Sequence, residues 1–376
     1  MSGIYVHIPF CKSKCIYCDF YSIAVPSLIP DFCKTLKKEI VSRRNTLSDN
    51  QIQTIYFGGG TPSILDTDEI KGILDEIHAN YNVNSNAEIT LEANPENLCH
   101  QYLAELRHTG INRLSIGIQS FHDETLKFLK RRHNASKAIE SIKEAAECGF
   151  DNISIDLIYG IEGLTCEQWE KELDKAFSLP ISHLSCYCLG IEEGTLLHRY
   201  LCENKYSPTD EDNCLRQFLC FDEKSKENGF DHYEISNAGK PDRHSRHNSS
   251  YWDRTEYLGL GPGAHSYYAN SRTWNVADVK EYIRCINEGK ECLTSENLTP
   301  SDIFEESIML GLRTFKGIDI DEIGRSFGNE KSGKLKDAIK GLNPAHYRFD
   351  GKCLSLTAQG MFVSDSIIVK QIQEAI

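Results

Sequence analysis

The sequence lacks any apolar run long enough to cross a membrane. No uninterrupted apolar stretch in the 376 residues reaches the roughly 18 residues that a spanning helix needs. The N-terminus, MSGIYVHIPF, also lacks the basic start and the apolar core of a secretory signal. We therefore expect a cytoplasmic protein.

Basic residues are in the minority. The chain has 41 Lys and Arg residues against 55 Asp and Glu residues, which gives a net charge of −14. Because like charges repel, such an acidic chain does not associate freely with nucleic acid or anionic lipid. This balance argues against a nucleic-acid partner and limits any expected membrane contact to transient encounters.

The cysteines cannot all be paired within the chain. There are 15 of them, an odd number, in a sequence without an export signal. Disulfides are rare in a reducing compartment, so most of these cysteines should be reduced, and many should lie in the core. Cysteines that bind a metal centre should instead form a cluster in the sequence, with the short spacing that is typical of metal ligands.

Strand-like and helix-like segments alternate through the first two-thirds of the chain. Six such units in series predict an α/β fold with a parallel sheet and right-handed crossovers. Six is fewer than the eight strands of a closed barrel, so we predict a partial (β/α)6 barrel with its chemistry at the carboxyl ends of the strands. The six apolar segments are Ile4–Ile8, Thr54–Phe57, Glu88–Glu92, Arg113–Ile118, Ile153–Ile158 and His183–Leu189.

The last part of the chain has a different character. Three helical segments, Asp302–Leu312, Ile320–Phe327 and Lys334–Leu342, precede a hairpin over Tyr347–Leu356. This order predicts a small α+β domain of the winged-helix type, which we interpret as a packing domain because the chain is acidic. A final helix should include Gln371 and Ile376. The predicted division is residues 1–230 for the barrel, 231–295 for a connecting region, and 296–376 for the C-terminal domain.

A cysteine triad follows the first predicted strand directly. Cys11, Cys15 and Cys18 have the spacing C-x3-C-x2-C, and with 15 cysteines in 376 residues this triple is expected by chance only about 0.02 times. A structural zinc site usually takes four ligands, but no Cys or His follows closely. Three thiolates suit a 4Fe–4S cluster with one open iron, which we favour over zinc and over inert core cysteines.

Polar or glycine-rich elements close the next strands. Gly58-Gly59-Gly60-Thr61-Pro62 follows the second strand, Glu92 and Gln119 close the third and fourth, and Asp156 lies in the fifth. Each has an ordinary alternative as a turn, a cap or a solvated side chain. Together they indicate one ligand-binding edge, to which Arg131 could bring a positive charge for a carboxylate.

The cysteine spacing at the end of a first strand resembles the signature of radical S-adenosylmethionine (SAM) enzymes. The resemblance implies that the open iron of the cluster binds the amino and carboxylate groups of SAM. It also implies that an electron from the reduced cluster splits SAM to give a 5′-deoxyadenosyl radical. The SAM-binding residues expected on this basis are Tyr5, Tyr17, Gly59, Gly60, Thr61, Glu92, Gln119, Arg131 and Asp156.

A narrower resemblance covers nearly the whole chain. Tyr5-Val-His-Ile-Pro-Phe-Cys11, the Gly-Gly-Gly-Thr-Pro stretch and Leu157-Ile-Tyr-Gly160 are similar to the oxygen-independent coproporphyrinogen III oxidase family. The true oxidases carry an N-terminal extension and a further cysteine directly after the triad. Here Asp19-Phe20 follows Cys18 and only four residues precede Tyr5, so the chain departs from the oxidase pattern.

The heme-chaperone branch of that family carries the motif His-Asn-x-x-Tyr-Trp. The corresponding residues here are His247, Asn248, Tyr251 and Trp252. Imidazole binds heme iron and aromatic faces stack on the macrocycle, so the motif suits heme. The alternative is an aromatic corner that packs the C-terminal domain on the barrel. His247 could also be structural, with His133 or a cysteine as the iron ligand.

The leading hypothesis is therefore a protein that binds a 4Fe–4S cluster, SAM and heme, and that passes heme to acceptor hemoproteins. The resemblance implies that respiratory enzymes are among the acceptors and that an electron donor reduces the cluster. The alternative is an enzyme that converts the two propionates of coproporphyrinogen III to vinyl groups. A third hypothesis is a radical SAM enzyme with an unrelated substrate.

Overall fold

The series of alternating strands and helices is present. The structure, a computed structural model, describes residues 2–290 and 292–372, with side chains as far as residue 369. Neighbouring strands of the first six pair in parallel, which confirms the predicted βα units. In chain order the elements are β1 (Ser2–Ile8), α1 (Ile29–Ser42), β2 (Gln51–Gly59), α2 (Thr67–Asn80), β3 (Asn82–Ala93), α3 (His100–Arg107), β4 (Arg113–Gln119), α4 (Asp123–Phe128), α5 (Ala135–Glu147), β5 (Ile153–Tyr159), α6 (Cys166–Phe177) and β6 (His183–Cys188).

The middle of the chain extends this sheet at both ends. Its elements are α7 (Leu196–Cys202), α8 (Glu211–Glu227), β7 (Asp231–Glu234), β8 (Asn237–Gly239), α9 (Arg246–Trp252), β9 (Tyr257–Leu260), β10 (His265–Tyr268), β11 (Ser271–Asn275), α10 (Val279–Glu288) and β12 (Leu293–Asn297). In the described part of the chain the sheet has twelve strands in the order β12-β11-β10-β9-β1-β2-β3-β4-β5-β6-β8-β7. Because this order has two ends, the barrel is open, as predicted.

The strand β9 was not predicted from the sequence, although it pairs in parallel with β1. Its four residues are too few to show an alternating pattern. They include Gly259, where a side chain would collide with the backbone of His265 on the neighbouring strand. The close approach of two backbones explains the glycine, and it also removes the apolar signal by which a strand is recognised.

The two faces of the barrel sheet differ in chemistry. Ile4, Ile55 and Leu114 lie in the apolar core between the strands and the surrounding helices. The interior is polar: Tyr5 pairs with Tyr56, Tyr56 with Thr90, and Thr90 with Arg113, in register across four strands. A polar interior is suited to a charged ligand rather than to packing alone.

In the C-terminal domain, helices are followed by a β-hairpin, which is the order predicted for a winged-helix type of domain. Its elements are α11 (Pro300–Leu312), β13 (Ile318–Asp319), α12 (Ile320–Phe327), α13 (Asn329–Ile339), β14 (Tyr347–Phe349), β15 (Cys353–Leu356), α14 (Ala358–Phe362), α15 (Ser364–Ser366) and a π-helical turn, Ile367–Ile372. The three strands form a separate antiparallel sheet. Gln371 lies in the last turn, and Ile376 lies outside the described residues.

The C-terminal domain packs against the barrel through one continuous apolar core. Phe304 and Ile308 of α11 belong to the same buried cluster as the barrel residues. The ring of Phe362 lies 5.8 Å from that of Phe218 on α8. No helix in the described part of the chain is long and apolar enough to cross a membrane.

The cysteines follow the expectation with one exception. Thirteen are free, as predicted for most of them. Cys285 near the end of α10 is paired in a disulfide with Cys292, only seven residues further along the chain. This pair is an exception to the expectation that disulfides are rare in the chain, and a turn after the helix brings its two cysteines together.

Candidate functional site

The loop that follows β1 carries the three cysteines of the triad. Cys11, Cys15 and Cys18 are free and partly exposed at the carboxyl edge of the barrel. The loop between them is anchored by Ile16, which is fully buried in a small apolar cluster with Leu197. The backbone N–H of Leu197 donates to the Ile16 carbonyl over 2.8 Å, which joins the loop to α7. The buried isoleucine thus holds the loop while the thiols beside it stay accessible.

The donor set of this loop suits a cluster rather than one ion. Within the described ranges, no three His, Cys, Asp or Glu side chains converge closely enough to hold a single metal ion. Thiolates that hold a four-iron cluster each bind a different iron, so they need not meet at one point. Three accessible thiols on one short loop fit that requirement.

A chain of polar contacts links two of these cysteines. The hydroxyl of Thr61 lies 3.4 Å from Cys11 Sγ and accepts a hydrogen bond of 3.1 Å from Asn94 Nδ2. Arg131 Nη2 donates to Asn94 Oδ1 over 2.5 Å, and its Nη1 donates to Cys15 Sγ over 3.4 Å. Segments after β2, β3 and β4 therefore hold the cysteine loop from one side.

Asn94 was not selected as a site residue from the sequence. It lies two residues after Glu92 and directly before Pro95, at the carboxyl end of β3. Its position could have indicated a role, because Thr61, to which it donates, likewise comes shortly after the end of a strand. Its amide donates at one atom and accepts at the other, and so it joins a hydroxyl to a guanidinium.

Arg131 brings the positive charge that the sequence predicted at this edge. Its Nη2 also donates to the Gly117 carbonyl over 2.7 Å, while Nε has no partner in the described structure. Burial alone would lower the pKa of Arg131, but Tyr17 and Cys15 beside it hold that pKa above its usual range. A buried cation with a free donor fits the carboxylate of SAM.

Two carboxyl groups lie inside the barrel below the cysteine loop. Loss of water around Glu92 raises its pKa to about 7, although a hydrogen bond of 2.8 Å from the Tyr56 hydroxyl opposes the shift. Loss of water likewise raises the pKa of Asp156 to about 6, against a hydrogen bond from Ser185. An entering cation such as a sulfonium would favour the ionised form of both groups.

Close approach of the backbone explains the glycines after β2. A Cβ at Gly58 would lie 2.9 Å from the Tyr5 ring and 3.1 Å from Glu92 Oε1. A Cβ at Gly60 would lie 2.7 Å from the Phe10 carbonyl oxygen, because this loop packs against the start of the cysteine loop. Gly59 adopts a positive φ of 104°. Gly58, which is not among the residues predicted to bind SAM, is the glycine of this stretch that approaches the Glu92 carboxylate.

The strands β1 and β4 contribute the remaining predicted residues. The Tyr5 hydroxyl lies 3.1 Å from His7 Nδ1, and His7 Nε2 lies 3.0 Å from the Tyr21 carbonyl. Gln119 ends β4 with a φ of 69°, a strained value for a residue with a side chain. All the residues predicted to bind SAM therefore lie either at the carboxyl edge of the barrel, near the cysteine loop, or on strands that lead to that edge.

The His-Asn-x-x-Tyr-Trp motif lies elsewhere, on α9 toward the amino ends of the strands. His247 is buried, with Nδ1 2.8 Å from the Thr54 hydroxyl and Nε2 2.9 Å from the Tyr251 hydroxyl. Burial, together with the smaller effect of the Arg113 charge, lowers the pKa of His247 to about 3. Both ring nitrogens are engaged, so binding to iron would require the ring to give up at least one of these hydrogen bonds.

The rest of the motif surrounds this histidine. Glu88 of β3 accepts hydrogen bonds from the backbone of Arg246 and His247, which fixes the start of α9. Trp252 Nε1 is buried without a partner in the described structure. His133, the alternative ligand, has Nε2 3.0 Å from the Ile118 carbonyl and Nδ1 3.5 Å from Glu96. The role of these residues in heme binding stays a prediction.

Comparison with known proteins agrees with this architecture. Residues 5–176 match the Radical SAM superfamily, and residues 298–363 match the HemN C-terminal domain. The solved coproporphyrinogen III oxidase (HemN) of Escherichia coli superposes with a TM-score of 0.84 at 22% identity, covering 99% of this chain and 90% of the other. At that identity the likeness concerns the fold.

Curated sequences are more similar. The heme chaperone HemW of Bacillus subtilis (strain 168) is 33% identical over 91% of this chain and 91% of its own length. The heme chaperone HemW of Mycobacterium tuberculosis (strain H37Rv) is 31% identical over 97% of this chain and 93% of its own length. The heme chaperone HemW of Lactococcus lactis (strain IL1403) is 33% identical, over 87% and 85% respectively.

The open barrel, the cysteine loop and the polar edge around it define a radical SAM protein. Within that superfamily, the chain belongs to the heme chaperone HemW family, as its relatives over nearly the whole length establish.

Proposed function

We propose that this protein is a heme chaperone: it binds heme, a 4Fe–4S cluster and SAM, and it transfers heme to acceptor hemoproteins. The observation that carries the proposal is the cysteine loop, braced by Thr61, Asn94 and Arg131, in a chain that is 31–33% identical to proteins named heme chaperones. Comparison with these relatives favours this function over coproporphyrinogen III oxidation, as does the Asp19-Phe20 sequence after Cys18.

In the proposed cofactor site, Cys11, Cys15 and Cys18 hold the cluster. When bound, the cluster supplies an open iron for SAM and one-electron reduction. Arg131 binds the SAM carboxylate through its free Nε, and Glu92 and Asp156 face the cationic and hydroxyl-bearing parts. The other residues proposed to surround SAM are Tyr5, Tyr17, Gly59, Gly60, Thr61 and Gln119.

The remaining parts of the proposal concern the surroundings of the protein. We place it in the cytoplasm, with a reductant for the cluster and with respiratory hemoproteins among its acceptors. We also propose that residues 1–230, 231–295 and 296–376 are its three parts. The middle part supplies strands at both ends of the barrel sheet and the α9 helix.

The test is one anaerobic experiment with the full chain. The cluster is reconstituted, and the protein is titrated with heme and then mixed with an apo-hemoprotein. Uptake of heme followed by its appearance in the acceptor supports the proposal. In parallel, reductant, SAM and coproporphyrinogen III are added, and formation of the divinyl product would identify an oxidase instead. Cys15→Ala should abolish the absorption band of the cluster.

A further inference from the structure

A second binding surface lies at the same edge of the barrel, outside the cofactor site. It is a cleft of about 630 Å³ between α4, α5, α6 and the loop after β5, a size typical of sites for organic ligands. Its apolar lining is Phe121, Phe128, Ile139, Ile161 and Leu164. A continuous wall of this composition suits a flat, apolar ligand.

The apolar wall of the cleft is continuous with the cysteine loop. Ile161 belongs to a small buried cluster, and Phe128 and Leu164 pack against it. Tyr17, which lies between Cys15 and Cys18 in the sequence, packs against the same cluster. A ligand in the cleft would therefore be separated from the cysteine loop by one layer of side chains.

Two exposed lysines line the cleft on one side. Lys171 and Lys175 are four residues apart on α6, so they lie on one face of the helix, and both are exposed. Hydrogen bonds from the backbone and Thr165 lower the pKa of Glu167, and the charge of the nearby Lys171 adds to this effect. Neither lysine forms a direct ion pair in the described part of the chain. A pair of cations at this spacing is suited to a ligand with two carboxylates.

The carboxylates that line the cleft are largely engaged elsewhere. Glu172 is buried and accepts hydrogen bonds from the Ser120 hydroxyl at 2.8 Å and the Phe121 backbone at 2.6 Å. Glu162 accepts a hydrogen bond from the backbone of Ser207 at 3.3 Å. Glu124 is exposed on α4, across the cleft from the lysines of α6. A ligand with anionic groups would therefore direct them toward α6.

A histidine with an available nitrogen lines the same cleft. The backbone of His122 is fixed by a hydrogen bond of 2.9 Å to the Ser120 hydroxyl, and its Nδ1 lies 3.5 Å from the Thr125 hydroxyl. Its Nε2 forms no hydrogen bond in the described structure, and the side chain is exposed. It differs in this from His247, whose ring nitrogens are both engaged.

We infer that this cleft is the heme-binding site, with the macrocycle against the apolar wall, the two propionates at Lys171 and Lys175, and the iron bound by His122. The inference rests on the proposed function, because heme is the proposed cargo. An iron porphyrin combines a flat apolar body, two carboxylates and an iron that binds imidazole, and the cleft offers a partner for each. A fatty acid has one carboxylate and no iron, so it would leave His122 without a role.

The iron contact is tested with His122→Ala in the full, cluster-loaded chain. Ferric heme titration should show at least about tenfold weaker binding and a shifted Soret band. Metal-free protoporphyrin should bind the variant as it binds the unmodified protein, because it has no iron to lose. The matched control is His78→Ala, an exposed histidine on α2, which should leave heme binding unchanged.

The propionate contacts are tested with the double variant Lys171→Ala/Lys175→Ala. It should bind heme and metal-free protoporphyrin about tenfold more weakly, since each ligand loses two charge-assisted hydrogen bonds. Heme dimethyl ester should bind it and the unmodified protein equally. Lys34→Ala/Lys38→Ala on α1 has the same spacing and exposure and serves as the control.

The outcomes separate this inference from the proposed function. If the unmodified protein binds and transfers heme, but both cleft variants do so equally well, the cleft assignment is overturned and the chaperone function stands. If the unmodified protein takes up no heme, the proposed function itself fails. If a long-chain fatty acid competes with heme and its own affinity depends on the lysines but not on His122, the cleft is a lipid site. All four variants alter exposed side chains, and circular dichroism and iron content verify that each is folded and loaded.

Discussion

The rings of His247 and Tyr56 stack inside the barrel, with centroids 5.0 Å apart and planes 23° from parallel. The hydroxyl of Tyr56 in turn donates to Glu92 over 2.8 Å. The motif helix at the amino side of the barrel is therefore joined by one tyrosine to a carboxylate of the proposed SAM site. In this arrangement His247 packs directly against the tyrosine that holds Glu92.

Tyr56→Phe should weaken SAM binding while it keeps the stacked ring. Without the tyrosine hydroxyl, the pKa of Glu92 rises above its present value of about 7. A smaller fraction of Glu92 is then ionised at pH 7, and we expect SAM affinity to fall about three- to tenfold. Calorimetric titration of the cluster-loaded protein with SAM measures this affinity. Tyr102→Phe, whose hydroxyl binds the Leu65 carbonyl outside the site, should have no such effect, and an equal loss in both variants would contradict the assignment.

Glu92→Gln should change how stability depends on pH in the protein without SAM. The folded pKa of Glu92 is raised from 4.5 to about 7, so between these values the folded chain holds a proton that the unfolded chain has released. The contribution of Glu92 to stability is thus fully present at low pH and is lost as the pH rises toward 7. The variant should gain about 3 kcal/mol relative to the unmodified protein between pH 4.5 and pH 8. Urea unfolding at several pH values measures this difference, and parallel curves for the two proteins would refute the expectation.

His247→Ala should act chiefly on stability. The substitution removes a buried ring with two hydrogen bonds and leaves Thr54 and Tyr251 without their partner. We expect a loss of about 2–4 kcal/mol in the free energy of unfolding. At a temperature where the variant is folded, its heme titration should match that of the unmodified protein within about twofold.

The opposite result for His247 would be equally clear. A variant with normal stability that loses the Soret band of bound heme would identify this histidine as the iron ligand. His133→Ala, tested in the same way, addresses the second candidate, whose Nε2 lies 3.0 Å from the Ile118 carbonyl.

Arg131→Lys should impair the cofactor site although the charge is kept. A lysine cannot donate to Asn94, the Gly117 carbonyl and Cys15 at once, as the forked guanidinium does. We expect SAM affinity to fall about tenfold or more and iron content to fall after reconstitution. Arg107→Lys, an exposed position on α3, is the control. Normal iron content and SAM affinity in Arg131→Lys would mean that a point charge is sufficient there.

Local patterns predicted much of the fold and part of the site. The βα series and the C-terminal helices and hairpin are visible because each element is long enough to show its period or its turn. The cysteine triad is visible because its ligands lie within eight residues of one another. The strands β8 and β9, which pair with β6 and β1, depend on contacts with distant parts of the chain, and no local signal indicated them. The disulfide between Cys285 and Cys292 joins residues only seven apart, but nothing in the sequence around them indicated it.

The amino-acid sequence by itself determined the α/β class, the three thiols for a cluster and the strand ends that bear polar residues, since these are properties of neighbouring positions along the chain. Tertiary structure alone decided which partners those residues have. Asn94 joins Thr61 to Arg131 because the segments that follow β2, β3 and α4 meet, and the nitrogens of His247 are engaged because α9 packs against β2. Hydrogen bonds and burial depend on distances between remote segments, and only the packing of the folded chain sets those distances.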